Sequence, residues 1–161
     1  MSRKLSPKDK LELDSLYRVI ATIAGWYDAL SHSLNAPRMA TTVRTAYEAN
    51  DLRSLRMAYN DLVVMTRAAD SIQRRDLNDR LQAEANTSLS ALDRKIHERI
   101  QRIRTRGKIT SEEQFYLVRE HVEFIANASD RADEARELFG LLDAFERRAA
   151  RSAGQSQTDQ R

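Results

Sequence analysis

The chain has 161 residues, of which 41% are hydrophobic and 32% charged, with a net charge of +3. That balance excludes a disordered polyelectrolyte and fits a single helical domain. With 4 glycines, 2 prolines and no cysteine, the chain lacks the punctuation of an all-β fold, and disulfides, thiolate metal sites and cysteine nucleophiles are all excluded. No apolar run approaches about 18 residues and no signal-peptide core is present, so the expectation is a cytoplasmic protein without membrane association.

Ser6-Pro7-Lys8-Asp9 reads as a helix start. The serine is a cap, the proline sits where its missing N–H costs nothing, and the aspartate lies in the positive first turn. Leu13, Leu16, Ile20, Ile23, Tyr27, Leu30 and Leu34 then recur at spacings of three and four, a coiled-coil-like seam. Asn35-Ala36-Pro37 breaks this helix, and a short second helix runs from Pro37 to about Ala49. Asn50-Asp51 is a stop followed by a cap.

The third apolar stripe is Leu52, Leu55, Tyr59, Leu62, Thr66 and Ala69, flanked by Val63 and Ile72. Nothing from Asp70 to Arg80 breaks a helix outright, and the pattern resumes as Leu77, Leu81, Ala85, Leu89, Leu92, Ile96, Ile100 and Ile103. Either one long helix or two joined near residue 70 or 86 satisfies this spacing. Gly107 ends it, with Arg104, Arg106 and Lys108 at the negative end of the dipole.

Thr110 and Glu113 form a capping-box pattern opening a helix that carries Phe115, Leu117, Val118, Val122 and Ile125. A turn at Asn127-Ala128-Ser129-Asp130 leads to a last helix with Ala135, Leu138, Leu142 and Phe145, expected to fade near Arg148. The architecture expected is therefore all-α: a bundle of about five helices with a long central helix or hairpin and a C-terminal helical hairpin. Residues 1–150 form one helical domain in this reading and 151–161 a disordered tail. The length of the first seam also suggests self-association into a homo-oligomer.

Charge is unevenly spread. Residues 94–108 hold seven basic side chains against one acidic, and residues 109–146 hold ten acidic against three basic. The basic block supplies candidate nucleic-acid contacts at Arg94, Lys95, Arg99, Arg102 and Arg106, since clustered cations neutralise phosphates. No zinc finger, aromatic RNA-binding pattern or helix-turn-helix accompanies them. A solvated or internally paired helix face is the simpler reading, the acidic hairpin folding against the basic helix. The acidic block supplies candidate partner contacts at Glu112, Glu113, Glu120 and Glu123, suited to a basic protein.

The three histidines, His32, His97 and His121, form no His-x-x-x-His pair, and no paired carboxylate–histidine repeat of the di-iron type occurs. There is no phosphate-binding glycine loop and no nucleophile elbow. The sequence thus points to a protein without catalytic residues, cofactor or metal. The function expected is a protein–protein interaction module, such as an adaptor, a small regulator or an antitoxin- or immunity-type masking protein. A nucleic-acid-binding accessory protein using the helix at 94–108 is the alternative.

Overall fold

A computed structural model describes residues 5–31 and 38–158. It is all-α. Among the described residues there are seven α-helices: α1 (Pro7–Leu30), α2 (Met39–Glu48), α3 (Leu52–Met65), α4 (Ser71–Ala85), α5 (Leu89–Arg106), α6 (Glu112–Ile125) and α7 (Ala132–Thr158). Short 3₁₀ turns at Thr66–Ala68 and Ser129–Arg131 follow α3 and precede α7. The chain divides into two compact units, Met1–Lys95 and Ile96–Arg161.

In the first unit α1 packs against α2, α3 and α4. Its start is as the sequence implies: the Asp9 amide donates to Ser6 Oγ at 3.1 Å, and Pro7 opens the helix. Being surrounded, α1 buries more than a seam. Leu13, Ile20 and Ile23 are joined in the core by Val19, Ala24 and Trp26, whereas Leu30 is largely exposed. Leu13, Ile20 and Ile23 of that seam are thus covered within the chain, where α1 packs against three neighbouring helices. Leu34, His32 and the expected break at Asn35-Ala36-Pro37 lie outside the described residues.

The start of α2 is capped from a distance. Arg38 offers no side-chain cap; instead Asp28 on α1 accepts from the Met39 and Ala40 amides, both at 2.9 Å. Asn50, at φ 55°, stops the following turn, and Asp51 caps α3 by accepting from the Ser54 amide at 3.0 Å.

The stretch that the spacing left as one or two helices breaks at both candidate points. Asp70 is extended and opens α4 through a reciprocal capping box with Gln73, so a single side chain overrides a continuous apolar pattern. Ile72, expected to flank the apolar stripe, is 80% exposed. At the other point Asn86 adopts a left-handed conformation that ends α4, which asparagine tolerates better than most residues. Asn78 Oδ1 then accepts the Leu89 amide at 3.0 Å at the start of α5.

In the second unit α6 packs against α7, with Leu117, Val118, Val122, Ile125, Leu138 and Leu142 buried. Gly107 ends α5 at φ +68° as expected. The last helix does not fade near Arg148. It continues to Thr158, through most of the segment expected to be a tail, and Arg148 donates to the Ile109 carbonyl at 2.8 Å. No helix among the described residues is long and apolar enough to cross a membrane.

Candidate functional site

The candidate contacts of the acidic block are arranged by α6, whose first turn differs from the sequence pattern by one residue. Ser111, not Thr110, is the cap: Ser111 Oγ accepts from the Gln114 amide at 3.3 Å, and Gln114 Oε1 accepts from the Thr110 amide at 3.0 Å. Glutamine takes the place the pattern gave to Glu113. Glu113 is left to accept from Arg99 Nη2 on α5 at 2.7 Å.

The basic and acidic blocks thus meet. Arg104 adds a second link, with Nε and Nη2 at 3.0 and 2.6 Å from Glu137 Oε2 on α7. That bond is the main reason its guanidinium is held even more firmly in the charged state. Residues 96–161 carry equal numbers of acidic and basic side chains, so the uneven charge of the linear sequence is balanced within one unit.

Of the remaining basic candidates, Arg102 donates to the Glu98 carbonyl of its own helix at 3.3 Å, and Arg106 Nη1 stands 3.5 Å from Thr110 Oγ1. Arg94 and Lys95 are exposed residues of the first unit. Of the acidic candidates, Glu112 and Glu123 are exposed, and Glu120 lies 3.5 Å from Arg119.

Helical spacing sets Glu112, Tyr116, Arg119 and Glu123 along the face of α6 opposite its buried residues. Glu120 and Phe124 flank that stripe. Tyr116 is 39% and Phe124 52% exposed, and the Arg119 guanidinium lies 4.9 Å from the centre of the Tyr116 ring. The outward face of α6 therefore presents two aromatic rings among carboxylates.

His121, which the sequence places in no metal-ligand spacing, is 2% exposed. Its Nε2 lies 3.2 Å from Glu134 Oε1 on α7, and Arg131 bonds both oxygens of that carboxylate at 2.9 and 3.0 Å. Burial pushes the Glu134 carboxyl up, but the bonds from Arg131 and His121 outweigh it and hold the group below the usual glutamate range. The signal for this cluster was present in the spacing: position 121 stands three and four residues from Leu117, Val118 and Ile125. Its partners Arg131 and Glu134 are ten and thirteen residues away in sequence and are not implied by periodicity. His97 is exposed.

Among the described residues no group of three His, Cys, Asp or Glu is placed to hold a metal ion. The site thus belongs to an all-α helical protein with a paired basic–acidic helix arrangement and an aromatic, acidic outer face on α6. The chain matches no protein-family model, no curated protein and no solved structure.

Proposed function

We propose that the protein is a non-enzymatic protein–protein interaction module whose second unit captures a basic partner through the outward face of α6. The observation that carries this reading is the exposure of Tyr116 and Phe124 on a helix face bearing Glu112, Glu120 and Glu123. Aromatic rings are strong interface anchors because they bury large area at small conformational cost, and surrounding charge selects and steers the partner. An adaptor, a regulator or a masking protein all use such a surface.

The nucleic-acid reading of α5 is weakened by its own geometry. Arg99 and Arg104 are engaged by Glu113 and Glu137, and a phosphate binding there would meet those carboxylates.

The test is affinity capture from host lysate with the full chain, with and without nuclease, using two variants. One reverses Glu112, Glu120 and Glu123 to Lys; the other carries Tyr116→Ala and Phe124→Ala. The result expected is one stoichiometric basic protein that survives nuclease and is lost with both variants, whose helicity is unchanged. Capture retained by both variants would overturn the assignment, and material removed by nuclease would move it to α5.

A further inference from the structure

The first unit holds a cleft that the α6 reading does not use. Its volume is about 380 Å³, within the range of pockets that take small molecules. Three segments of the unit line it. From α1 come Asp14, Ser15 and Arg18, brought to one face by helical spacing; from the α4–α5 connection come Asn86 and Thr87; from α5 comes Lys95.

The left-handed turn at Asn86, φ 49° and ψ 43°, sets this edge, with the Thr87 amide donating back to the Leu81 carbonyl at 3.2 Å. That bond uses backbone groups and leaves the two side chains at the cleft.

The cations here stand outside hydrogen-bonded ion pairs, unlike several others in the unit. Arg56, Arg67, Arg74 and Arg80 each stand in an ion pair with a carboxylate. Among the described residues the side chains of Ser15, Arg18, Asn86, Thr87 and Lys95 make no hydrogen bond or ion pair. The one acid of the cleft, Asp14, is already committed. It accepts from Tyr47 Oη at 2.8 Å and pairs with Lys10 at 3.1 Å, and these bonds, with a smaller contribution from the nearby Arg18 charge, hold its carboxyl below the usual aspartate range. The cleft therefore offers two cations without a hydrogen-bonded partner, two hydroxyls and an amide.

From this set we infer that the cleft binds a phosphate monoester. A dianion matches the charge of Arg18 and Lys95. A tetrahedral group with several acceptor oxygens uses the guanidinium fork, the ammonium and the neutral donors together, whereas a planar carboxylate leaves donors idle. The inference is independent of the α6 reading, because all its residues lie between positions 14 and 95.

The experiment is titration of the full chain with inorganic phosphate at constant ionic strength, followed by amide NMR shifts, with acetate as the parallel arm. Saturable shifts at Ser15, Asn86 and Thr87 with phosphate, and much weaker ones with acetate, are expected. Arg18→Gln and Lys95→Gln remove exposed side chains, leave the fold intact, and each weaken binding by about tenfold. The assignment is overturned by non-saturable shifts, by equal response to acetate, or by a binding constant unchanged in both variants.

Discussion

Arg99 Nη2 donates to Glu113 Oε1 at 2.7 Å, joining a residue that the sequence marks for a phosphate to one that it marks for a basic partner. Both side chains are half-buried, so the pair is screened less than a surface pair but is not isolated from water. A double-mutant cycle of Arg99→Ala and Glu113→Ala, read by urea denaturation, should give a coupling of about 0.5–1 kcal/mol. Exchanging the two residues should recover part of the loss. Strictly additive single effects would show that the bond does not form in solution.

The partly buried Glu134 carboxylate should make the protein sensitive to acid. Its pKa lies below the ordinary value in the folded state, because the bonds from Arg131 and His121 outweigh the upward push of burial. The unfolded chain therefore binds the proton at higher pH. The stabilisation is complete above the ordinary glutamate pKa and is lost as pH falls through the lower, folded value. Glu134→Gln should cost about 1–3 kcal/mol at neutral pH and flatten the acid limb of stability against pH. An acid limb as steep as in the parent would refute this.

The only tryptophan reports on α4. Trp26, fully buried, donates from Nε1 to Asp76 Oδ2 at 3.0 Å. Asp76→Ala leaves that donor without its acceptor and should cost about 1 kcal/mol, at the lower end of such losses because Asp76 itself is solvated. Tryptophan emission should shift, whereas Asp76→Asn, which keeps an acceptor, should hold both emission and stability near the parent.

Asp28 caps a helix to which it does not belong. Asp28→Ala removes the acceptor of the Met39 and Ala40 amides and should destabilise by about 1–2 kcal/mol. Hydrogen exchange should accelerate first at those two amides, and the change should not reach α6 or α7. Unchanged exchange at Met39 and Ala40 would count against the long-range cap.

Caps written in local chemistry were legible. Ser6 with Pro7, Asn50 with Asp51, and Gly107 each act within a few residues, and each does in the structure what the sequence implied. Capping with near-equal alternatives was not. Thr110 and Ser111 are adjacent hydroxyls, each three residues ahead of a residue able to complete the box, and choosing Ser111 with Gln114 released Glu113 for Arg99. The break near residue 70 was left open for a related reason: the apolar spacing runs through it, and the capping box of Asp70 with Gln73 is what starts a new helix. The burial of His121 follows its helical phase with Leu117, Val118 and Ile125, whereas its bond to Glu134 crosses to another helix.

The sequence by itself determined the all-α class, most helix starts and stops, and the apolar faces, because these depend on 3.6-residue periodicity and on groups within one turn of each other. Only the tertiary structure decided which charges cancel, that Asp28 caps α2, that His121 is buried against Glu134, and that Arg18 and Lys95 share a cleft with Asn86. The last three join groups such as Asp28 and Met39, 11 positions apart, and Arg18 and Lys95, 77 apart, and the pairing of the charged blocks joins Arg104 to a glutamate 33 residues on. Such pairings depend on how helices pack, and packing is set by side-chain shape across the whole core, which no local pattern encodes.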